Sequence, residues 1–193
     1  VSTGVEIAKE AAQYDMKVLL DFHYSDFWAE PAVQLVPKAW KKDVNNTEKM
    51  CSDVYDFTKE SIQKFKDAGA NIGMVQVGNE ITNGLLGIYS NRDKGESFNV
   101  IWGDKKNSTE VHKYLKAGIK AVREYTPQAL VALHLETPNV WKYKTIMNTW
   151  KRDNVDYDVL GSSYYPFWSI AAKANTPKTL KDVQTLAASY GKM

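Results

Sequence analysis

The sequence predicts an α/β domain with a parallel sheet, and within that class part of a (β/α)8 barrel. Amphipathic helical segments alternate with short apolar segments along the 193 residues, without a long polar linker, which is the pattern of βα units. Four of the apolar segments end in polar or aromatic residues, as barrel strands do where they carry a functional site. The competing architecture is a doubly wound sheet, which would be expected to show a glycine-rich phosphate turn after an early strand. Neither G-x-G-x-x-G nor a Walker sequence occurs.

The predicted elements are one helix followed by four strand–helix units. Apolar periodicity predicts helices over residues 5–14, 47–68, 108–125 and 140–152, and a last helix that begins at the Thr176-Pro177 pair. Short apolar runs predict strands over residues 17–23, 130–134 and 159–165, and a fourth from Ile72 to the tip at Asn79-Glu80. The Ile72 strand is expected to be buried on both faces, as in parallel sheets. Two long connections are predicted, 24–46 and 82–107, and the first is expected to be ordered and functional because it holds four aromatic residues.

Composition excludes several classes of protein. The net charge is +2 and the lysines are scattered, so no nucleic-acid partner is expected. No apolar run approaches the ~20 residues of a membrane span. The single cysteine, Cys51, excludes an internal disulfide and a multi-cysteine metal site, and its helical position predicts a buried structural thiol. Aromatic residues make up 12%, with six tryptophans, which suits surfaces that stack on sugar rings, although core packing explains each one singly.

The Asn79-Glu80 pair at a strand tip is the main candidate for chemistry. Amide and carboxylate side chains are poor strand formers, so the pair either carries function or caps the next helix. Glycoside hydrolysis needs two carboxylates, one to protonate the leaving oxygen and one to attack or to activate water. Glu80 can be the first, with Asn79 donating to a sugar hydroxyl. Glu136, Asp26 and Glu30 are candidates for the second, and none is distinguished from the others.

Three longer motifs resemble the family 53 glycoside hydrolases, which are endo-β-1,4-galactanases (arabinogalactan endo-β-1,4-galactosidases). Residues 21–31 read DFHYSDFWAEP and, with PKAW at 37–40, look like the loop after the third strand of that family. Residues 75–84, VQVGNEITNG, are similar to its fourth-strand motif. Residues 156–159, DYDV, and 162–168, SSYYPFW, are like its sixth-strand motif. Together the three motifs cover most of the chain in the order that the family has.

The resemblance implies one incomplete barrel domain over residues 1–193, covering roughly strands three to six with flanking helices. It implies a retaining, endo-acting clan A hydrolase that cleaves β-1,4-galactan or arabinogalactan. Glu80 maps onto the acid/base and Asn79 onto the residue that contacts the sugar 2-hydroxyl. The remaining site residues are implied as follows: His23 lines the subsite of the cleaved sugar, Tyr164 or Tyr165 orients the nucleophile, Trp28 and Trp168 stack on sugars or pack in the core, and Asp26 binds a sugar hydroxyl or caps a turn.

The resemblance also sets expectations for what the chain lacks. The family nucleophile is a Glu at the end of the seventh strand, expected beyond Met193, so the 193 residues alone should have little activity. No cofactor and no metal are expected, and secretion is expected from the substrate although no signal peptide is present. Open sheet edges should cause self-association. His112 is expected on a helix surface, and residues 136–138, Glu-Thr-Pro, have no counterpart with a known role.

Two further functions remain open from the sequence. The first is a clan A hydrolase of another β-linked polysaccharide, such as a mannan, a xylan or a β-glucan. The second is a catalytically silent carbohydrate-binding fragment that uses the aromatic residues and no nucleophile.

Overall fold

A computed structural model of the protein describes the backbone of residues 1–165 and 170–193 and the side chains of residues 1–165 and 177–193. Trp168, a predicted stacking residue, lies outside the described residues. The helices are α1 (Ser2–Ala12), α2 (Thr47–Asp67), α3 (Asn99–Trp102), α4 (Lys105–Tyr125), α5 (Val140–Arg152) and α6 (Ile170–Ser189). The strands are β1 (Val18–Phe22), β2 (Ile72–Val77), β3 (Gly84–Leu85), β4 (Ile88–Tyr89), β5 (Leu130–Glu136) and β6 (Val159–Ser163).

Four strands form a parallel sheet in the order β1-β2-β5-β6, which is their order along the chain. The other two, β3 and β4, form a separate antiparallel hairpin. The α/β class and the parallel sheet predicted from the sequence are therefore confirmed. A strand order that never reverses is the order of a barrel, whereas a doubly wound sheet reverses at its switch point. The backbone of Met193 also pairs with β6, through bonds to Asp158 O (3.0 Å) and from Leu160 N (2.9 Å).

The two faces of the sheet differ in burial. One face carries fully buried side chains, among them Leu20, Val75, Val77 and Leu133, which pack with the helices into one core. The other face, which we call the concave face, is partly open, and Leu19 there is 51% exposed. The prediction that the Ile72 strand is buried on both faces is therefore wrong for its first half, where residues 73 and 74 are only half-buried.

The helix ends show where local rules predicted the structure and where they did not. Of the two residues that could cap the helix predicted at 47–68, Asn46 and Thr47, Asn46 caps α2, since its Oδ1 accepts from Lys49 N–H at 3.1 Å. Helix α4 begins earlier than predicted because the Asp104 carboxylate accepts from Asn107 N–H at 2.8 Å and caps the helix there. The Thr176-Pro177 start is wrong, because α6 begins at Ile170 and Pro177 lies inside it. A proline there costs the helix one backbone hydrogen bond and did not end it.

Both long connections are ordered, as predicted for the first, and contain short elements of their own. The first holds a 3₁₀ turn at Lys38–Asp43, and the second holds β3, β4, α3 and two further turns. Tyr24, expected at a polar strand tip, is instead buried, and its hydroxyl lies 2.8 Å from Thr58 Oγ1 on α2. Cys51 is half-buried, and burial raises the pKa of its thiol. Within the described ranges, no helix is long and apolar enough to cross a membrane.

A cluster of charged residues joins the amino-terminal ends of β5 and β6. The Asp158 carboxylate accepts from Val131 N–H at 2.7 Å and from Arg123 Nη1 and Nη2 at 2.8 and 3.1 Å. Burial alone would raise the pKa of Asp158, but the hydrogen bonds from Arg123 and Val131 outweigh it and lower the pKa. The three residues therefore tie α4 to two neighbouring strands.

We predict that Arg123→Ala lowers the free energy of unfolding of the 193-residue chain by about 1 kcal/mol at neutral pH, since Asp158 loses two charge-assisted bonds at a partly exposed site. Because the pKa of folded Asp158 lies below its unfolded value near ~3.9, this stabilisation is present above about pH 4 and is lost as the pH falls through the folded pKa. Urea unfolding at neutral and acidic pH measures both effects.

Lys178→Ala is the matched control for this prediction. Lys178 forms an exposed ion pair with Asp182 one helical turn away, at 2.5 Å. Such pairs contribute less than about 0.5 kcal/mol. The stabilising role of the Arg123–Asp158 pair would be contradicted if the two variants lost the same free energy of unfolding. It would also be contradicted if the loss in Arg123→Ala did not become smaller in acid.

Candidate active site

Polar side chains line the concave face at the carboxyl ends of the four parallel strands. The register places Asp21 of β1 beside Gln76 of β2, and it places Glu136 of β5 beside Ser163 of β6. His134 lies on the same face of β5 as Glu136, two residues before it. Side chains alternate between the faces of a strand, so these residues share one face. The carboxyl end of the sheet is where barrels carry their functional groups.

A closed ring of hydrogen bonds joins β1, β2 and the loop after β1. Ala29 N–H donates to His23 Nδ1 (3.1 Å), so the proton of this imidazole is on Nε2, which donates to Asp21 Oδ2 (3.2 Å). Gln76 Nε2 donates to Asp21 Oδ1 (2.6 Å) and to Asn79 Oδ1 (3.2 Å). Asn79 Nδ2 closes the ring on Ala29 O at 2.8 Å. The ring fixes both His23 and the loop that carries Trp28.

A branch of the same network reaches β5 and β6 through His134. Its Nδ1 lies 2.8 Å from Asn79 Oδ1, and its Nε2 lies 2.8 Å from Ser163 Oγ. An amide oxygen only accepts, so His134 donates through Nδ1–H and accepts the Ser163 hydroxyl proton at Nε2. Burial lowers the pKa of His134, whereas the charges of Glu80 and Asp21 act in the opposite direction. His134 is therefore neutral at pH 7.

Asn79 keeps one donor for a ligand. It is only 6% exposed, and its oxygen already accepts from Gln76 and His134. Its amide group has two protons, of which one goes to Ala29. Among the described residues, none accepts the second proton. This geometry allows the contact with a sugar hydroxyl that the resemblance implies.

The backbone turns sharply between β2 and Glu80. Gly78 has φ +84°, and a Cβ there would lie 2.7 Å from Ile81 Cγ2, so a side chain would be strained on both counts. Glu80 itself has φ 48° and ψ 48°, in the left-handed region that side chains disfavour. The turn at Ile81–Asn83 follows, and Glu80 makes no side-chain capping bond to it. The capping interpretation of Asn79-Glu80 is therefore wrong, since Asn79 bonds across the sheet and Glu80 is half-buried.

Hydrogen bonds to Thr82 and the packing of Trp102 stabilise this turn. Trp102 Nε1–H donates to Thr82 O at 2.5 Å, and Glu136 N–H donates to Thr82 Oγ1 at 2.9 Å. The Trp102 ring stacks on His112, with centroids 5.7 Å apart and an interplanar angle of 27°. His112 is 1% exposed and bonded to Asp153 at 2.6 Å, so its expected surface position is wrong. A helical pattern alone did not reveal which face His112 occupies.

The other predicted site residues lie in the loop after β1 and directly after β6. Asp26 is exposed and accepts from Lys38 N–H at 2.8 Å, the turn-capping contact of its two interpretations. Trp28 is 75% exposed, so it does not pack in the core. Tyr164 is half-buried and Tyr165 is exposed, both directly after β6. Described contacts join His23, Asn79 and Glu80 through the network, and they do not join Tyr165 to it.

Sequence reasoning missed three members of the network: Gln76, Ser163 and Gln34. Gln34 Nε2 donates to Asn79 O at 2.9 Å and lies in the loop after β1, where no pattern singled it out. Gln76 is the one polar residue in the apolar run 72–77, and Ser163 lies two residues before the end of the predicted 159–165 strand. Their polarity near the strand tips was the available signal. Among the described residues, no group of three or more His, Cys, Asp or Glu side chains could hold a metal ion.

Comparison with known proteins gives a consistent result. The family model "Glycosyl hydrolase family 53" matches residues 1–193. The endo-β-1,4-galactanase of Bacillus subtilis (strain 168) is 42% identical over 193 residues, which are 100% of this chain and 40% of that protein. The arabinogalactan endo-β-1,4-galactanase of Cellvibrio japonicus (strain Ueda107) is 32% identical over 182 residues, 91% of this chain and 45% of that protein.

Solved structures agree in fold. The Ignisphaera aggregans GH53 catalytic domain superposes with a TM-score of 0.72 at 31% identity and covers 85% of this chain and 41% of that chain. A fungal β-1,4-galactanase superposes with a TM-score of 0.76 at 27% identity, over 98% of this chain and 54% of that chain. The sheet is thus part of a TIM barrel, which confirms the fold prediction, and the chain spans about half the length of the curated relatives it matches. On the match over its whole length, the chain belongs to glycosyl hydrolase family 53.

Proposed function

We propose that the protein to which these residues belong is an endo-β-1,4-galactanase that cleaves galactan or arabinogalactan with retention, with Glu80 as acid/base. The observation that carries this proposal is the position of Glu80 at the carboxyl end of β2, directly after Asn79, whose amide is fixed by His134, Gln76 and Ala29. The names of the relatives, galactanases and arabinogalactan galactanases, support the substrate. An extracellular location is proposed with that substrate.

The surroundings of Glu80 suit a group that exchanges a proton with a sugar oxygen. Its carboxylate is near enough to His134 and to Tyr143 on α5 for its charge to raise the pKa of each. Neutral His134 does not form an ion pair with Glu80 at pH 7. The free amide proton of Asn79 is available to a hydroxyl of the sugar.

The nucleophile is proposed to be a Glu outside these 193 residues. A retaining hydrolase needs a second carboxylate about 5–5.5 Å from the first. Two of the candidates left open by the sequence are engaged elsewhere, since Glu136 Oε1 lies 3.3 Å from Lys142 Nζ and Asp26 accepts from Lys38 N–H. Until the remaining strands close the barrel, the exposed edge of β1 is proposed to promote self-association.

We predict that Glu80→Gln in the full-length protein reduces galactan cleavage by at least ~100-fold, because loss of a general acid/base removes a contribution of about 10²–10⁴. Reducing-sugar release from galactan measures the loss, and the 193-residue chain alone should release almost none. Glu124→Gln, at the carboxyl end of α4, is the control and should retain cleavage. Full cleavage by Glu80→Gln would contradict the role of Glu80 as acid/base. Faster cleavage of a mannan, a xylan or a β-glucan than of galactan would contradict the proposed substrate.

A second prediction tests the proximity of Glu80 to His134 without any substrate. Burial already lowers the pKa of His134 from its usual value near ~6.5, and the negative charge of Glu80 partly offsets that. Glu80→Gln should therefore lower the pKa of His134 further. Imidazole nitrogen chemical shifts in the 193-residue chain, followed against pH by NMR, give this value. Glu124→Gln should not change the pKa of His134. An unchanged pKa of His134 in Glu80→Gln would show that Glu80 is not close to His134.

A further inference from the structure

A cavity lies beside the turn that carries Glu80, on the side of β5 and α5. Its volume is about 380 Å³. The residues that line it come from the turn after β2, from the connection before α3 and from the segment between β5 and α5; they are Thr82, Asn83, Arg92, Glu96, Ser97, Phe98, Glu136, Thr137 and Lys142. We call it the Arg92 cavity.

The turn that carries Glu80 lies beside the segment at the end of β5, and one hydrogen bond joins the two at the Arg92 cavity. The backbone nitrogen of Glu80 lies 3.3 Å from His134 Nδ1, and two residues further on in both segments Glu136 N–H donates to Thr82 Oγ1. The cavity and Glu80 are therefore held by the same pair of adjacent backbone segments. The cavity begins at Thr82, two residues after Glu80.

The floor of the Arg92 cavity carries fixed hydrogen-bonding groups of both kinds. Lys142 Nζ donates to Glu136 O at 3.0 Å and to Glu136 Oε1 at 3.3 Å, and the two side chains are only 14% and 19% exposed. Burial lowers the pKa of Lys142, and nearby Arg92 lowers it too, whereas Glu136 raises it. In the part of the chain that the structure describes, the Arg92 guanidinium has no ion-pair or hydrogen-bond partner. Its donors are free for a ligand.

An aromatic pair forms one wall and extends beyond it. The rings of Phe98 and Trp141 meet edge to face, with centroids 5.4 Å apart at 79°. Trp141 is 63% exposed, and it precedes Lys142 in α5. Contact with Phe98 orders the indole, so a flat apolar surface is presented to solvent next to hydrogen-bonding groups. Aromatic side chains with one apolar face and nearby polar groups are typical of binding surfaces.

The backbone of this segment is strained at one further position. Thr137 has φ 48°, which is a rare conformation for a β-branched residue. Strained residues persist where the surroundings hold them, and they cluster at binding and catalytic sites. Here the bonds of Glu136 to Lys142 and to Thr82 hold the residue directly before Thr137. The Glu-Thr-Pro segment, for which the sequence indicated no role, thereby places the Glu136 carboxylate in the cavity.

We propose that the Arg92 cavity is a sugar subsite that binds a hexopyranose unit of the polysaccharide beyond the bond placed at Glu80. The inference deepens the proposed function and depends on a polysaccharide substrate. Sugar hydroxyls both donate and accept, which matches the free Arg92 donors and the Glu136 acceptor, and the apolar face of the ring matches Trp141. An inorganic anion fits less well, because the Glu136 and Glu96 carboxylates line the same cavity.

Binding to the 193-residue chain tests the subsite without catalysis. Long β-1,4-galacto-oligosaccharides are titrated in while the indole resonance of Trp141 is followed by NMR, with inorganic phosphate as the competing probe. The indole resonance should shift, and Trp141→Ala should weaken binding by roughly three- to tenfold, as expected for loss of one aromatic contact. Tyr14→Ala removes an aromatic side chain that is 71% exposed on the other side of the sheet and should bind as the unsubstituted chain does. No shift at Trp141 with bound sugar, or a shift with phosphate alone, would overturn the subsite.

Kinetics of the full-length protein separate this inference from the proposed function. For Trp141→Ala and Arg92→Gln, KM should rise roughly three- to tenfold on long galacto-oligosaccharides, and the rise should shrink as the substrate shortens. Unsubstituted protein that cleaves no galactan would refute the proposed function. Cleavage by unsubstituted protein, with both variants showing the same KM as it does at every length, would leave the function standing and refute the subsite.

Discussion

The carboxamide of Asn79 is the constraint on which the candidate site depends. Its oxygen accepts from Gln76 and His134, and its nitrogen donates to Ala29, so one buried amide fixes β2, β5 and the loop after β1. A buried polar group without its partner costs about 1–3 kcal/mol, so each of these contacts favours one arrangement over looser ones. The network positions Glu80 by holding the residue before it and the histidine beside it.

The two ends of the parallel sheet have different tasks. At the amino-terminal ends, Arg123, Asp158 and Val131 form compact ionic contacts that hold α4 against two strands. At the carboxyl ends, neutral amide, hydroxyl and imidazole groups link the strands, and among the described residues Asn79 and Arg92 keep donors without a partner. This division agrees with the general pattern of barrels, in which one end contributes stability and the other carries chemistry. The helices bury one face of every parallel strand and leave the concave face open.

Sequence patterns predicted the four parallel strands, their tips and five of the six helices, because period and capping chemistry are local properties, whereas β3, β4 and α3 were not predicted. They did not predict which tip residues point at one another. Tyr24 follows His23 directly, yet one enters the helix layer and the other joins the ring, since neighbouring residues alternate in direction. The sequence predicted the helix that contains His112 but not that this residue faces the core, so His112 was expected on the surface. Pro177 is the reverse case, a local signal for a helix start that the rest of α6 overrode.

The left-handed backbone of Glu80 has a practical consequence for engineering. A residue with a side chain in this conformation costs about 1–2 kcal/mol relative to an ordinary one, and glycine avoids that cost. A campaign that ranks variants by melting temperature alone would therefore favour glycine at position 80 and discard the carboxyl group. Thermostable versions of this domain should be selected on turnover as well as on heat resistance, with this position held fixed.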